Sequence, residues 1–271
     1  MNRKHVAIPY LIWMVGFVLL PLVMVVVYAF TDKSGAFTFA NVTALFEPVH
    51  AKALWLSLLI AVLTTAITLL LAYPLALALR RLKVSAGGIT LIIMILPMWM
   101  NFVLRVMAWQ TILSKNGLLN LLLTSIGLEP LNIINTWVAI LIGMVYDFLP
   151  YMILPVYTAV MEIPENILEA ARDLGAGSFT VALRIILPMT RAGAMSGVIM
   201  VFVPSMTAFV VSNILGGGKI QLLGNIIEQE FVYSMNWNLG SGLSLTLMIF
   251  ALLGLFFTQK NDDGRREKKL W

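Results

Sequence analysis

Six long apolar stretches alternate with polar segments along the chain. Each is close to the roughly 20 residues that a helix needs to cross the hydrocarbon core of a bilayer. The first follows the basic residues Arg3 and Lys4 and is too long to be the core of a signal peptide. The pattern therefore predicts an all-α polytopic membrane protein with six spans, at about residues 8–30, 53–79, 88–108, 136–160, 192–215 and 240–257.

The polar segments predict the connections between these spans. Residues 31–52 are predicted to form a first loop, and residues 110–135 a second loop that carries a small interfacial helix. Residues 216–239 are predicted to form a third loop. Gly193 and Gly197, at the start of the fifth span, have the spacing that lets another membrane helix pack closely.

Residues 161–191, between the fourth and fifth spans, predict a helix-turn-helix hairpin at the membrane surface. Pro164 suits the first helical position, and Gly175 suits the left-handed residue that ends a helix. Ser178 is of the type that caps a second helix, and Pro188 is expected to interrupt that helix. The apolar face of the first helix is predicted to comprise Ile167, Ala171 and Leu174.

Composition supports the membrane assignment, and the distribution of charge predicts the orientation. The chain is 60% hydrophobic and 11% charged, with a mean hydropathy of +0.93, outside the usual range of soluble domains. Of its 18 lysines and arginines, thirteen fall on the side that holds both termini and residues 161–191. Because basic residues favour the cytoplasmic side, we expect both termini and residues 161–191 to be cytoplasmic. The net charge of +5 then reflects orientation in the bilayer rather than binding to nucleic acid.

No motif for catalysis, metal binding or cofactor binding is present. The chain has no cysteine, and its two histidines lie far apart. Gly216-Gly217-Gly218-Lys219 does not fit a phosphate-binding loop, because Ile220 follows the lysine and position 213 is asparagine. We therefore predict neither metal nor cofactor, and any ATP that drives this protein must bind another subunit.

Asp147 is the acidic residue that the pattern places inside a predicted span. A carboxylate is costly there, so it should face the protein interior or a wet cavity. One interpretation is a functional carboxylate, and the other is a buried polar contact to a partner helix. Arg105 has the complementary charge, but the predicted end of the third span places it near the external face.

Seven residues in segment 161–191 match a signature at two fixed spacings. They are Glu169, Ala170, Ala171, Gly175, Ile185, Leu187 and Pro188. This pattern resembles the EAA signature of the permease subunits of bacterial ABC importers. The resemblance implies that the loop carries a coupling helix, which docks into a groove on a cytoplasmic ATPase. Physically, the small alanines allow close approach and the acidic residues offer charge to a basic partner.

Further motifs are similar to those of the spermidine/putrescine permeases within that family. They are Leu96-Pro97-x-Trp99-x-Asn101 with Arg105, Gly143-x-Val145-Tyr146 with Leu149-Pro150, and Leu223-Gly224-Asn225 after the glycine run. Asp147 departs from the group, which usually has an apolar residue there. A polyamine carries several ammonium groups, so its path should offer carboxylates and aromatic faces. The candidates for this path are Asp147, Tyr146, Tyr151 and Trp99.

The resemblance implies one permease domain over residues 1–271, with the MetI-like fold of type I ABC importers, in the bacterial cytoplasmic membrane. It also implies three protein partners: a dimer of ATP-binding subunits, a second permease of similar fold and an extracytoplasmic substrate-binding protein. Related permeases for ferric iron, sulfate, molybdate or phosphonate remain alternatives. So does a secondary transporter or channel, which would need no ATPase-docking loop. A membrane-embedded enzyme is disfavoured by the missing catalytic constellation.

Overall fold

A computed structural model describes residues 3–82 and 96–266 of the chain. In these two ranges the regular secondary structure is helical, apart from one isolated bridge between Thr31 and Phe37, and turns and irregular segments connect the helices. The helices are α1 (Arg3–Met14), α2 (Leu20–Ala29), α3 (Ala40–Thr43), α4 (Pro48–Arg81), α5 (Phe102–Leu113), α6 (Leu118–Ser125), α7 (Trp137–Met161), α8 (Glu165–Asp173), α9 (Ser178–Val181), α10 (Leu187–Met189), α11 (Arg191–Met206), α12 (Phe209–Leu215), α13 (Leu223–Glu228) and α14 (Trp237–Arg266).

The centre of the molecule is formed by α4, α7 and α11, each of which packs against the other two. Small residues allow α11 to lie close to α7, as their spacing predicts. A Cβ added at Gly193 would collide with Ala159 and with the carbonyl oxygen of Pro155. One added at Gly197 would lie 2.6 Å from the sulfur of Met152. Close approach of this kind gives the dispersion contacts that hold helices together in lipid.

The first membrane helix packs along the last one. α2 contacts α14, and polar side chains secure the chain where α2 ends. Asn41 and Asn238 both donate from Nδ2 to the carbonyl oxygen of Thr31, at 2.8 and 2.7 Å. Asn41 also donates to the carbonyl oxygen of Ala29, and Asn238 to that of Tyr28, at 3.2 and 3.3 Å. The end of α2 leaves these last carbonyl oxygens without an intrahelical partner.

Two π-helical segments precede prolines in the apolar helices. Val15–Leu19 joins α1 to α2 just before Pro21, and Ala182–Ile186 joins α9 to α10 just before Pro188. A proline removes one backbone hydrogen bond and crowds the carbonyl four residues earlier. The wider π turn relieves this conflict, so both helices continue through their prolines.

Four described helices are long and apolar enough to cross a membrane: Pro9–Ala29, Pro48–Arg81, Trp137–Met161 and Trp237–Phe256. They correspond to the first, second, fourth and sixth predicted spans. The predicted third span begins outside the described residues. Its described part is not one continuous helix, because a 3₁₀ turn over Leu96–Trp99 is followed by Asn101, the N-cap of α5, and α5 ends at Leu113 rather than 108. The small helix predicted between residues 110 and 135 is confirmed as α6.

The fifth predicted span is not one straight helix. It begins at a bend of 72° between the helix Ser178–Met189, which precedes it, and the helix Arg191–Met206. A second break follows, because the backbone N–H and the hydroxyl of Thr207 both donate to the carbonyl oxygen of Pro204 and end α11. The remainder of the predicted span forms the separate helix α12. A continuous span over 192–215 is therefore wrong.

The predicted third loop is also wrong in part, because α13 packs between the spans. Leu222 and Leu223 are fully buried, and Ile226 is almost so. Leu223 and Ile226 join a core with residues of α4, α11 and α14, whereas Leu222 joins the larger core around α4 and α7. The N–H of Leu223 also donates to the hydroxyl of Ser57 in α4, at 2.9 Å. The helical spacing of these apolar residues favours insertion of this short helix between the spans. The insertion was not predicted, because the helix lies within a long polar segment.

Candidate functional site

Residues 161–191 form the predicted hairpin, and its first helix ends in a Schellman motif. The N–H of Gly175 donates to the carbonyl oxygen of Arg172 at 2.8 Å, and that of Ala176 donates to the carbonyl oxygen of Ala171 at 3.0 Å. Gly175 has a φ of +79°, the left-handed conformation that the sequence predicts for it. Pro164 is the N-cap residue, one position before the predicted one.

The second helix of the hairpin differs from the prediction in two respects. Gly177 occupies the N-cap position, and Ser178 is the first helical residue and makes no capping hydrogen bond. The helix also passes Pro188 and ends at Met189, because the π segment accommodates the proline. The two expectations, a Ser178 cap and an interruption at Pro188, are therefore wrong.

Of the three residues predicted for the inner face of the hairpin, Ala171 is buried, whereas Ile167 and Leu174 are exposed. Leu168 and Ala171 of α8 are buried, together with Val181 and Ile186 of the second helix. Leu174 instead is 90% exposed, because it lies after the last helical residue and points away from the core. Of the signature residues, Ala171 is buried, Ile185 is half-buried, and the others are exposed, namely Glu169, Ala170, Gly175, Leu187 and Pro188.

The outer surface of the hairpin thus combines exposed apolar and acidic side chains. Phe179 is 77% exposed and lies across the turn from Leu174. Glu169 and Asp173 are exposed on α8. Exposed aliphatic and aromatic residues beside charges are typical of a surface that a partner covers.

Arg80, at the end of α4, connects the hairpin to two spans. Its Nη2 donates to the carbonyl oxygen of Ile163 and to Oε2 of Glu165, both at 2.8 Å. Its Nη1 donates to the carbonyl oxygen of Val160 near the end of α7. Because one rigid guanidinium binds all three groups, the ends of α4 and α7 and the start of α8 are joined.

Asp147 lies in the middle of α7 and forms an ion pair with Arg105 of α5. Nε of Arg105 is 2.8 Å from Oδ1 of Asp147, and both side chains are buried. Arg105 also donates from Nη1 to the carbonyl oxygen of Pro97 at 2.8 Å. Arg105 is therefore the partner of Asp147, although the predicted end of the third span argued against this pairing. α5 continues to Leu113, so Arg105 lies about 12 Å inside its end at 1.5 Å per residue.

The other candidate path residues are not gathered around Asp147. The ring of Tyr146 packs edge-on against Trp109, with centroids 5.2 Å apart. Tyr151 is 38% exposed, and Trp99 is 86% exposed. Asp147 itself is 1% exposed and meets Arg105 instead.

Sequence reasoning did not single out Glu228, the last residue of α13. It lines a cavity of about 640 Å³ among α11, α13 and α14. Its Oε2 accepts a hydrogen bond from Nδ2 of Asn213 at 2.9 Å. The helical spacing of Leu222, Leu223 and Ile226 is the signal that would have placed this carboxylate among the spans.

A family model described as binding-protein-dependent transport system inner membrane component matches residues 69–262. The spermidine/putrescine transport system permease protein PotB of Haemophilus influenzae is 38% identical over 252 residues, covering 90% of this chain and 88% of that protein. PotB of Escherichia coli K12 is 36% identical over 245 residues, covering 88% and 89%.

Two solved structures show the same fold. One is a bacterial ABC transporter involved in the import of the acidic polysaccharide alginate, with a TM-score of 0.78 and 18% identity over 97% of this chain and 94% of that one. The other is the bacterial alginate ABC transporter in complex with alginate pentasaccharide-bound periplasmic protein, with a TM-score of 0.79 and 17% identity over 94% and 91%.

Proposed function

Because the chain belongs to the family of binding-protein-dependent transport system inner membrane components, we propose that it is the membrane-spanning subunit of an ATP-driven polyamine importer. The single permease domain of residues 1–271 crosses the bacterial cytoplasmic membrane six times. Both termini and the hairpin 161–191 lie on the cytoplasmic side, in keeping with the thirteen basic residues assigned there. ATP is hydrolysed by a separate subunit, so this chain is not itself an enzyme.

The hairpin 161–191 is the docking element for the ATPase. The observation that carries this proposal is the exposed outer surface around Glu169, Leu174 and Phe179, on a hairpin whose inner face is buried against the spans. Gly175 fixes the turn between the two helices. Arg80 ties this hairpin to α4 and α7, so a displacement at the ATPase is transmitted to the spans.

Spermidine and putrescine are the proposed substrates, on the strength of the names of the similar PotB proteins. Their ammonium groups would be attracted by carboxylates and aromatic rings along the path. Asp147, Tyr146, Tyr151 and Trp99 remain the path residues proposed from sequence. Arg105 is the counter-ion of Asp147 in this structure, and a passing ammonium group would have to replace it.

Three protein partners complete the proposed transporter. They are a cytoplasmic dimer of ATP-binding subunits, a second permease of similar fold and an extracytoplasmic substrate-binding protein. The alginate transporter in complex with its periplasmic protein supports the last of these by analogy of fold. Delivery of substrate and closure of the ATPase dimer would shift the spans between inward-open and outward-open states.

Gly175→Leu tests the docking element in the assembled complex. The strain of a side chain at φ +79° is about 1–2 kcal/mol, and no atom within 4 Å obstructs it sterically. We expect normal membrane insertion but loss of uptake. Gly177→Ala is the matched control, since Gly177 also has free space around it but has a φ of −67°. Normal substrate-stimulated ATP hydrolysis in Gly175→Leu would contradict the docking role.

Glu169→Lys tests the acidic part of the same surface. Glu169 is exposed, so the change should leave folding intact and weaken co-purification of the ATPase through charge reversal. The expected loss should diminish as salt is raised, because screening weakens exposed charges. Unchanged co-purification at moderate salt would exclude this face from docking.

Measuring uptake of labelled putrescine and spermidine by the assembled complex identifies the substrate. Competition by sulfate, phosphonate or ferric iron, without any effect of polyamines, would instead favour a related importer. The alginate transporters show that this fold also serves anionic substrates.

A further inference from the structure

The cavity beside α13 combines apolar walls with one carboxylate. Phe209 and Phe231 line it together with aliphatic residues of α11 and α14, and Glu228 lies at its wall. Its volume of about 640 Å³ lies in the range of small-molecule sites in proteins. A ligand with aliphatic segments and positive ends matches this lining.

The charge of Glu228 is not compensated by the described part of the chain. The ion pairs there join His50 to Glu47, Glu165 to Arg80 and to Arg172, and Arg105 to Asp147. Glu228 receives only the amide hydrogen bond from Asn213. An amide orients a carboxylate without neutralising it, so the cavity retains a negative charge that favours a cation.

A second feature adds to this negative potential. Met206 and Thr207, at the break between α11 and α12, also line the cavity. The C-terminal end of a helix carries partial negative charge, and broken membrane helices use such ends to hold cations. Asn225 fixes the arrangement, donating from Nδ2 to the carbonyl oxygen of Phe209 and to Oδ1 of Asn213.

We propose that this cavity binds one ammonium end of an aliphatic polyamine, with the Glu228 carboxylate as its counter-charge. The proposal deepens the transport function proposed above and rests on it. The methylene chain lies against the apolar wall, and the aromatic residues Phe209 and Phe231 stabilise the cation through their ring faces. Asn213 positions the carboxylate through its hydrogen bond.

A single engineered cysteine reports occupancy of the cavity. The chain has no cysteine of its own, and Ser244, which lines the cavity, differs from cysteine by one atom. The assembled complex carrying Ser244→Cys is placed in nanodiscs and labelled with a maleimide. Labelling is measured in the presence of putrescine or of butane-1,4-diol, which has similar length but no charge.

We expect putrescine to slow the labelling and the diol to have no effect. Adding Glu228→Gln, which keeps the shape and the amide contact, should raise the half-protective putrescine concentration by about tenfold or more, because a hydrogen bond to a charged group is lost. Glu230→Gln is the matched control: it removes a nearby carboxylate that does not line the cavity and should leave protection unchanged.

Three results would overturn the proposal: equal protection by the diol, undiminished protection in Glu228→Gln, or a cysteine that putrescine does not protect. A cysteine that the maleimide never reaches would likewise overturn it and assign the cavity to a second permease or to lipid. Uptake by the same complex is measured in parallel. A complex that imports putrescine without protecting the cysteine refutes this site alone, whereas one that imports no polyamine refutes the transport function itself.

Discussion

Asp147 and Glu228 are both carboxylates among the apolar helices, yet their surroundings are opposite. Asp147 is 1% exposed, and the protein supplies its cation, Arg105, at 2.8 Å. Glu228 is half-buried at the wall of a cavity, and among the described residues only the amide of Asn213 donates a hydrogen bond to it. The charge of Asp147 is therefore neutralised within the protein, whereas the charge of Glu228 remains available to a ligand.

The difference shows that location in an apolar segment does not by itself define the role of a carboxylate. Burial of any charge among apolar helices is unfavourable, so the informative feature is the source of the compensating charge. An internal arginine indicates a contribution to packing, which a substrate would have to displace. An absent cation indicates that the compensating charge comes from elsewhere.

The largest expected effect is on stability, in Asp147→Ala. Loss of the carboxylate leaves Arg105 buried without its counter-ion, so unfolding should become easier by about 3–5 kcal/mol. Glu228→Ala should change stability by less than about 1 kcal/mol, because no buried charge loses its partner. Denaturant unfolding of the purified protein in detergent compares the two variants.

Combining Asp147→Leu with Arg105→Met checks the reason for this loss. Replacing both charges with apolar groups of similar size should restore most of the stability, since no uncompensated ion then remains. A double variant as unstable as Asp147→Ala would show that the ion pair is not the cause. Loss of polyamine uptake in a stable double variant would support a path role for Asp147.

A medium effect is expected in Arg80→Gln, which breaks the connection among α4, α7 and α8. The variant loses hydrogen bonds to two carbonyl oxygens and one partly exposed ion pair. This loss should destabilise the hairpin by about 1–3 kcal/mol. Hydrogen exchange of the α8 amides should accelerate. Arg81→Gln is the control, because Arg81 is exposed at the same helix end. Equal exchange in both variants would contradict the connection.

The smallest effect concerns Asp32, an exposed carboxylate satisfied by hydrogen bonds instead of by a cation. The hydroxyl of Ser34 and then the N–H of Ala36 donate to it and lower the pKa of Asp32. Because the folded pKa is depressed, the stabilisation is present above the unfolded pKa of about 3.9 and is lost as pH falls through the lower folded pKa. Asp32→Asn should remove this pH dependence, as acid unfolding curves would show.

Sequence patterns predicted the long helices and the hairpin, because helical periodicity and turn residues are local properties. Gly175 is an example: its left-handed turn follows from the absence of a side chain. Arg105 was considered as the partner of Asp147 but set aside, because the third span was predicted to end at residue 108, five residues before the end of α5. Glu228 was missed because residues 216–239 were treated as one polar loop, although the apolar residues Leu223 and Ile226 within it pack into the core.

The central claim is that ATP hydrolysis by a subunit docked on the hairpin 161–191 drives polyamine through this chain. The most direct measurement is uptake of labelled spermidine into proteoliposomes that hold the assembled complex and the substrate-binding protein, with ATP only on the hairpin side. We expect concentrative uptake that requires ATP. Gly175→Leu should abolish this uptake, and Gly177→Ala should retain it. Concentrative uptake without ATP, or undiminished uptake in Gly175→Leu, would contradict it.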